Sequence, residues 1–218
     1  MPKITSIEPQ KKRVERFNIF VDGKFAFGVS GQILLENNLK SGKLLTDSDI
    51  TKILAREQIA KLTDLATNFL SYRPRSEKEV SDYLIKKLAV YENIKFAQAS
   101  QSPLLEKVIE KLKKYKYIND VEFASWFTQS RNRSRPKGSM QIMAELRQKG
   151  ISQEIIENTL KSSPNEVDLA KAALSKKVER WQNLGESQFK KKVYQFLTSR
   201  GFGFETIREV FAILKNLR

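Results

Sequence analysis

An apolar step of four residues recurs along this chain and limits what it can fold into. Val80, Leu84 and Leu88 stand four apart, as do Ile142, Leu146 and Gly150, and again Val193, Leu197 and Gly201. That step marks one face of an α-helix. Downstream of the second and third sets, Ile156 and Leu160 are answered by Ile207 and Phe211. Small residues precede the sets at Ala66, Ala124 and Ala170, once about one helical turn of length change is allowed. A period near roughly fifty residues implies tandem helical units that bury their apolar faces on one another.

Helix boundaries can be read from capping residues. Ser76-x-x-Glu79 and Ser163-Pro164-x-Glu166 read as capping boxes, the second with Pro at the first helical position. Ser102-Pro103 opens another helix, Asn119-x-x-Glu122 is box-like, and Ser152 lies between Ile151 and Ile156 as in a hydrophobic staple. Gly150 and Gly201 stand where helices should stop. The pattern predicts helices over 47–70, 76–89, 103–116, 120–131, 137–149, 152–161, 164–181, 187–200 and 204–217, grouped in triplets. The polar stretch 89–101 breaks the pattern and predicts an exposed loop or a helix extension.

The first forty-five residues have a different period. Phe17, Ile19 and Val21 alternate with other residues, and so do Phe25, Phe27 and Val29 beyond Asp22-Gly23. Two rules conflict at the turn. A two-residue Asp-Gly turn pairs Val21 with Lys24 and puts the apolar sets on opposite faces; a three-residue loop pairs Val21 with Phe25 and puts them on one face. The second is expected, because a single buried face fixes register. Residues 3–8 are expected to add a strand before Pro9, and a short helix near 32–38 and a Ser41-Gly42 turn follow. The predicted fold is mainly α, with three tandem three-helix repeats behind a small antiparallel β-sheet. Its parts are a β-rich segment over 1–45 and repeats over 46–118, 119–162 and 163–218.

Composition narrows the chemistry. With 40% hydrophobic residues among 218, the chain can bury a core, and 40 Lys+Arg against 25 Asp+Glu give a formal +15. Such a field attracts nucleic acid, acidic membrane or acidic protein surfaces. The chain has no Cys and no His, which removes disulfides, thiolate chemistry, the usual zinc sets and the commonest general base. A carboxylate-held Mg²⁺ enzyme remains as a third reading, but the acids sit mostly in first helical turns, where they complement the helix dipole. Ser187-Gln188-Phe189-Lys190 matches S-x-x-K without its companion elements and reads as a helix start. Gly201-Phe202-Gly203-Phe204 and Lys137-Gly138-Ser139 lack the strand and spacing of nucleotide-binding loops. No cofactor, metal or small-molecule substrate is expected. No apolar run reaches membrane-spanning length and Met1-Pro2-Lys3-Ile4 is no signal core, so a cytoplasmic protein is expected; a monomer is expected as well.

Basic clusters are the stronger signal. Arg131, Arg133, Arg135 and Lys137 share a connection that contains no acid, Arg73 and Arg75 occupy the equivalent connection upstream, and Lys190, Lys191 and Lys192 stand near the corresponding helix downstream. These are the candidate binding residues, with guanidinium forks suited to phosphate and carboxylate. As exposed loop charges, the four from Arg131 to Lys137 are expected to matter for binding and little for stability. Among the aromatics, Trp126 and Phe127 read as core, while Tyr115 and Tyr117 are the expected exposed pair.

Together these motifs resemble the RecX family, regulators of the RecA recombinase. The likeness is carried by Arg75-Ser76-Glu77-Lys78-Glu79-Val80 and Tyr117-Ile118-Asn119-Asp120-Val121-Glu122-Phe123-Ala124. Ser134-Arg135-Pro136-Lys137-Gly138 and Glu145-Leu146-Arg147-Gln148-Lys149-Gly150-Ile151 continue it. The resemblance implies a curved rod of three-helix repeats lying in the groove of the RecA–DNA filament. There it would restrain filament growth and RecA's ATPase, recombinase and coprotease activities, and through them recombination, repair and the SOS response. It also implies binding to single- and double-stranded DNA, and no enzymatic activity. The rival reading is a general DNA-binding repeat protein that does not depend on RecA. The N-terminal β segment is extra relative to the short family pattern, as in longer members.

Overall fold

The computed structural model describes residues 1–11 and 13–216, with only the backbone of Arg13 and Val14. The predicted end of the last helix at Leu217, and Arg218 after it, lie outside the described residues. Two compact units result, one of residues 1–72 with 81–117 and one of 73–80 with 118–218.

In the first unit, strands β1 (Ile4–Gln10), β2 (Arg13–Val21) and β3 (Lys24–Ser30) form an antiparallel sheet in chain order. The hairpin corrects the expected turn. Val21 pairs with Lys24 across a two-residue turn in which Asp22 and Gly23 both have positive φ, +48° and +77°. The single buried face is recovered by a register shift one step further in. Phe20 pairs with Phe25, then Ile19 with Phe27 and Phe17 with Val29, so the extra residue falls at Ala26. Ile19, Phe27 and Val29 are buried, while Phe25 on the turn side stays exposed. β1 runs through Pro9, which an edge strand tolerates.

Helix α1 (Gly31–Glu36) contributes Ile33 to the same core, along with Leu39, Leu45 and Ile53. The long helix α2 (Asp47–Ser71) starts at a capping box in which Thr46 and Asp49 satisfy each other's backbone N–H. Its buried Glu57 lies 2.7 Å from the Arg16 guanidinium and accepts from Ser30 N–H at 2.8 Å, which ties the sheet to the helix. Helix α3 (Glu77–Glu92) belongs to this unit from Ser81 onward, followed by α4 (Phe96–Ala99) and α5 (Pro103–Lys114). Ala66, Leu84, Leu88, Val108 and Leu112 are buried, and Phe69 stacks on Tyr83 at 4.1 Å. The stretch 89–101 is partly a helix extension. α3 continues past Leu88 until Asn93 takes φ +51° and Ile94 N–H closes on Ala89 O, and the one-turn α4 follows.

The second unit contains the first turn of α3, α6 (Asp120–Ser134), α7 (Ser139–Gln148), α8 (Gln153–Lys161), α9 (Glu166–Trp181), α10 (Glu186–Ser199) and α11 (Phe204–Asn216). Phe123, Ala124, Ile142, Leu146, Ile151 and Ile156 make one core; Ala170, Leu174, Phe189, Val193, Leu197 and Ile207 make the other. The four-residue steps therefore line these cores, as the sequence predicts. α10 is longer than α7, 14 residues against 10, and the added turn is filled by buried Phe189. Gly150 and Gly201 end α7 and α10 with φ +81° and +78°. In both, the next residue's N–H reaches back, Ile151 to Leu146 O and Phe202 to Leu197 O, each at 3.1 Å. One capping expectation fails. Ser163 donates its hydroxyl to Thr159 O, helping to close α8, while Asn165 caps α9 by accepting from Val167 N–H.

Within the second unit, one device repeats at two helix joints. At the start of α3, Glu77 N–H donates to Asp120 Oδ1 at 2.8 Å; at the start of α7, Ser139 N–H donates to Glu166 Oε1 at 2.7 Å. Each acceptor is the first residue of the next triplet's first helix, so a carboxylate neutralises the positive end of the preceding middle helix. The following middle helix brings its C-terminal end to the same point. Lys78 Nζ donates to Gln148 O at one joint; at the other, Gly138 N–H donates to Arg200 O at 2.9 Å and Arg200 to Pro136 O.

Candidate interaction surface

The connection before α7 begins in the last turn of α6, which carries Arg131 and Arg133; Arg135 then caps that helix and Lys137 precedes Gly138. Arg133 and Arg135 are exposed, and among the described residues neither is paired with a carboxylate. Arg131 and Lys137 behave differently. Arg131 Nε donates to Glu145 Oε2 at 2.8 Å and its guanidinium covers the Phe127 ring at 4.6 Å, while Lys137 Nζ pairs with Glu145 Oε1. The expectation of four solvated loop charges therefore needs correction for these two. The connection itself has no acid, but α7 folds one back against it. Burial raises the Glu145 carboxyl, yet the hydrogen bonds from Lys137, Arg131 and Gln141 outweigh it and hold the group below the usual carboxylate range.

The upstream pair follows the same pattern. Arg73 grips both oxygens of Glu79, at 3.0 and 3.2 Å, and Lys149 Nζ reaches Glu79 Oε1 at 2.6 Å. Arg75 is not without a partner either. Burial pushes the Glu79 carboxyl up, but the Arg73 and Lys149 hydrogen bonds prevail and lower it to about 2. A carboxyl lowered on folding adds stability that is complete above its unfolded value, near 4.5, and disappears as pH falls toward about 2. Unfolding midpoints measured from about pH 5 down to about pH 2 should therefore fall less steeply for Glu79→Gln than for the parent. Parallel curves would remove Glu79 from the joint.

Lys190, Lys191 and Lys192 lie on the body of α10, and not in the connection over 182–185 that precedes it. With Phe189 and Val193 buried on either side, all three lysines are exposed. Lys190 stands over Tyr194 and Phe211, 5.6 and 5.8 Å from the ring centres. The candidate cations thus divide into carboxylate-paired residues (Arg73, Arg131, Lys137) and surface residues (Arg133, Arg135, Lys190, Lys191, Lys192). Sequence reasoning missed the roles of these acids: Glu79 and Glu145, which make this division, and Asp120 and Glu166, which accept at the starts of α3 and α7. An available signal was the repeated Asn-acid pair, Asn119-Asp120 and Asn165-Glu166, at helix starts.

The sequence matches family models along its length. Residues 2–46 match the regulatory protein RecX N-terminal domain, and 64–89, 119–160 and 165–211 match the first, second and third RecX three-helix domains. The regulatory proteins RecX of Bacillus pumilus and Bacillus subtilis are each 37% identical over 209 residues, 95% of this chain and 75% of theirs. The chain belongs to the RecX family. A crystal structure of a regulatory protein RecX matches with TM-score 0.72 at 31% identity, covering 96% of this chain and 98% of that one. RecX from Lactobacillus salivarius, 24% identical with TM-score 0.61 over 74% of this chain and 99% of its own, shares the fold. These RecX relatives are regulatory proteins. No helix among the described residues of this RecX chain is long and apolar enough to cross a membrane. The second RecX domain carries the Arg131–Lys137 group, and the third carries the α10 lysines.

Proposed function

We propose that the chain restrains the RecA recombinase by binding the RecA–DNA filament in the cytoplasm, limiting filament extension and with it ATP hydrolysis, strand exchange and coprotease activity. RecX membership along the chain is the observation that carries this reading. Two features of the molecule support it. Exposed Arg133, Arg135, Lys191 and Lys192 have no paired carboxylate among the described residues, so their charge is available to an acidic or phosphate-bearing surface. The second feature is the repeated joint, which presents several such groups on one hydrogen-bonded unit. A bound filament repeats its surface, so several weak contacts add through effective concentration and no single strong site is needed.

The net charge of +15 also suits a general DNA-binding protein acting without RecA. RecA's DNA-dependent ATP hydrolysis separates the two. A filament-binding regulator lowers the rate at amounts well below one molecule per RecA protomer. A general DNA binder leaves the rate unchanged until it competes for DNA, and no inhibition at equimolar protein favours that alternative.

A further inference from the structure

Between α6 and α8 lies a cleft of about 370 Å³, within the size range of small-molecule sites. On its α6 wall two polar groups lack partners. Thr128 is only 4% exposed, and neither its Oγ1 nor Asn132 Oδ1 has a hydrogen-bond partner among the described residues. Both side chains also line an adjoining cavity of about 260 Å³. A buried polar group without a partner costs about 1–3 kcal/mol, which is why nearly all such groups are satisfied by something.

The opposite wall shows what could satisfy them. Thr159, Ser162 and Ser163 each donate their hydroxyl proton to a main-chain carbonyl, of Ile155, Asn158 and Thr159 respectively. Their oxygens keep lone pairs and have no proton left to give. Among the described residues, the only charged one lining the cleft is Glu154. In the adjoining cavity the Lys137 ammonium is already taken by Glu145. In a chain of net charge +15, the charge at this cleft is negative, and the neutral side-chain amides of Gln129, Asn132 and Asn158 add acceptor oxygens beside their own N–H groups. The cleft offers a phosphate no cation and a nucleobase no aromatic platform, and it suits a ligand that brings N–H donors and positive charge.

We propose that the α6–α8 cleft binds a nitrogen cation rich in N–H donors, a guanidinium or alkylammonium group, held by Asn132 Oδ1, Thr128 Oγ1 and the α8 hydroxyl oxygens, with Glu154 as counter-charge. The group can come from an arginine or lysine side chain of a protein partner, or from a free polyamine.

Backbone amide shifts of the whole ¹⁵N-labelled chain, titrated separately with N-acetylarginine amide, spermidine and uncharged N-acetylcitrulline amide, test this. The expected result is saturable shifts at Thr128, Asn132 and Thr159 with a cationic probe. Citrulline should bind at least about tenfold more weakly, and Glu154→Gln and Thr128→Val should each weaken the cation by a similar factor. Glu154 is exposed and Val has nearly the shape of Thr, so both variants keep the fold. Tighter arginine identifies a partner's side chain as the source, and tighter spermidine a free polyamine. Shifts that do not saturate, citrulline binding equal to arginine, or unchanged affinity in both variants would overturn the proposal.

Discussion

Gly138→Ala is expected to destabilise the protein by about 3–5 kcal/mol, although residue 138 is at a helix start with ordinary backbone angles. The cause is steric. A β-carbon there would overlap Gly201 O and Phe202 Cα, far closer than van der Waals contact, and both are main-chain atoms held by the closing turn of α10. Neither can move aside without breaking the Gly138 N–H to Arg200 O bond that joins the two triplets. Gly185 is the control. It caps α10 as Gly138 caps α7, yet nothing lies within 4 Å of its would-be β-carbon. Gly185→Ala should cost about 1 kcal/mol or less, the ordinary loss of a glycine cap. Urea unfolding of the two variants side by side measures the difference, and equal costs would mean that the joint is not closely packed.

Leu146→Ala should cost about 2–5 kcal/mol, measured in the same way. Leu146 is fully buried among Phe123, Ile142, Ile151 and Ile156, and truncation leaves a cavity that α7 cannot collapse to fill. Its carbonyl also accepts the Ile151 N–H that ends the helix, so cavity and stop lie at one place. Met140, on the same helix but 64% exposed, should tolerate Ala within about 0.5 kcal/mol. A mild effect at Leu146 would contradict the register that aligns Ile142 and Leu146 with Val193 and Leu197.

The helical part was legible because its signals are local and repeated. Gly150 and Gly201 announce the stops, Ser76 and Glu79 form the predicted capping box, and Ala66, Ala124 and Ala170 are fully buried where the periodicity placed them. The hairpin was half legible. The Asp22-Gly23 turn and the single buried face are both real, and only the irregularity at Ala26 reconciles them; no turn rule contains it. The roles of the basic residues were the least legible. Arg131 and Lys137 look like their neighbours Arg133 and Arg135 in the sequence, and what separates them is Glu145, brought round on α7. Arg73 is similarly claimed by Glu79, with Lys149 contributed from far along the chain. Which cation meets solvent is decided by tertiary contacts, and linear spacing carries no record of that.

The most direct test uses that separation. Replacing Arg133, Arg135, Lys191 and Lys192 together by Ala removes surface charge without touching either joint, and RecA's DNA-dependent ATP hydrolysis is then titrated with parent and variant. The variant should unfold within a few degrees of the parent, since exposed charges contribute about 0–1 kcal/mol each, while its half-inhibiting concentration should rise at least about tenfold. A folded variant that inhibits RecA as well as the parent would show that these exposed cations do not carry the interaction.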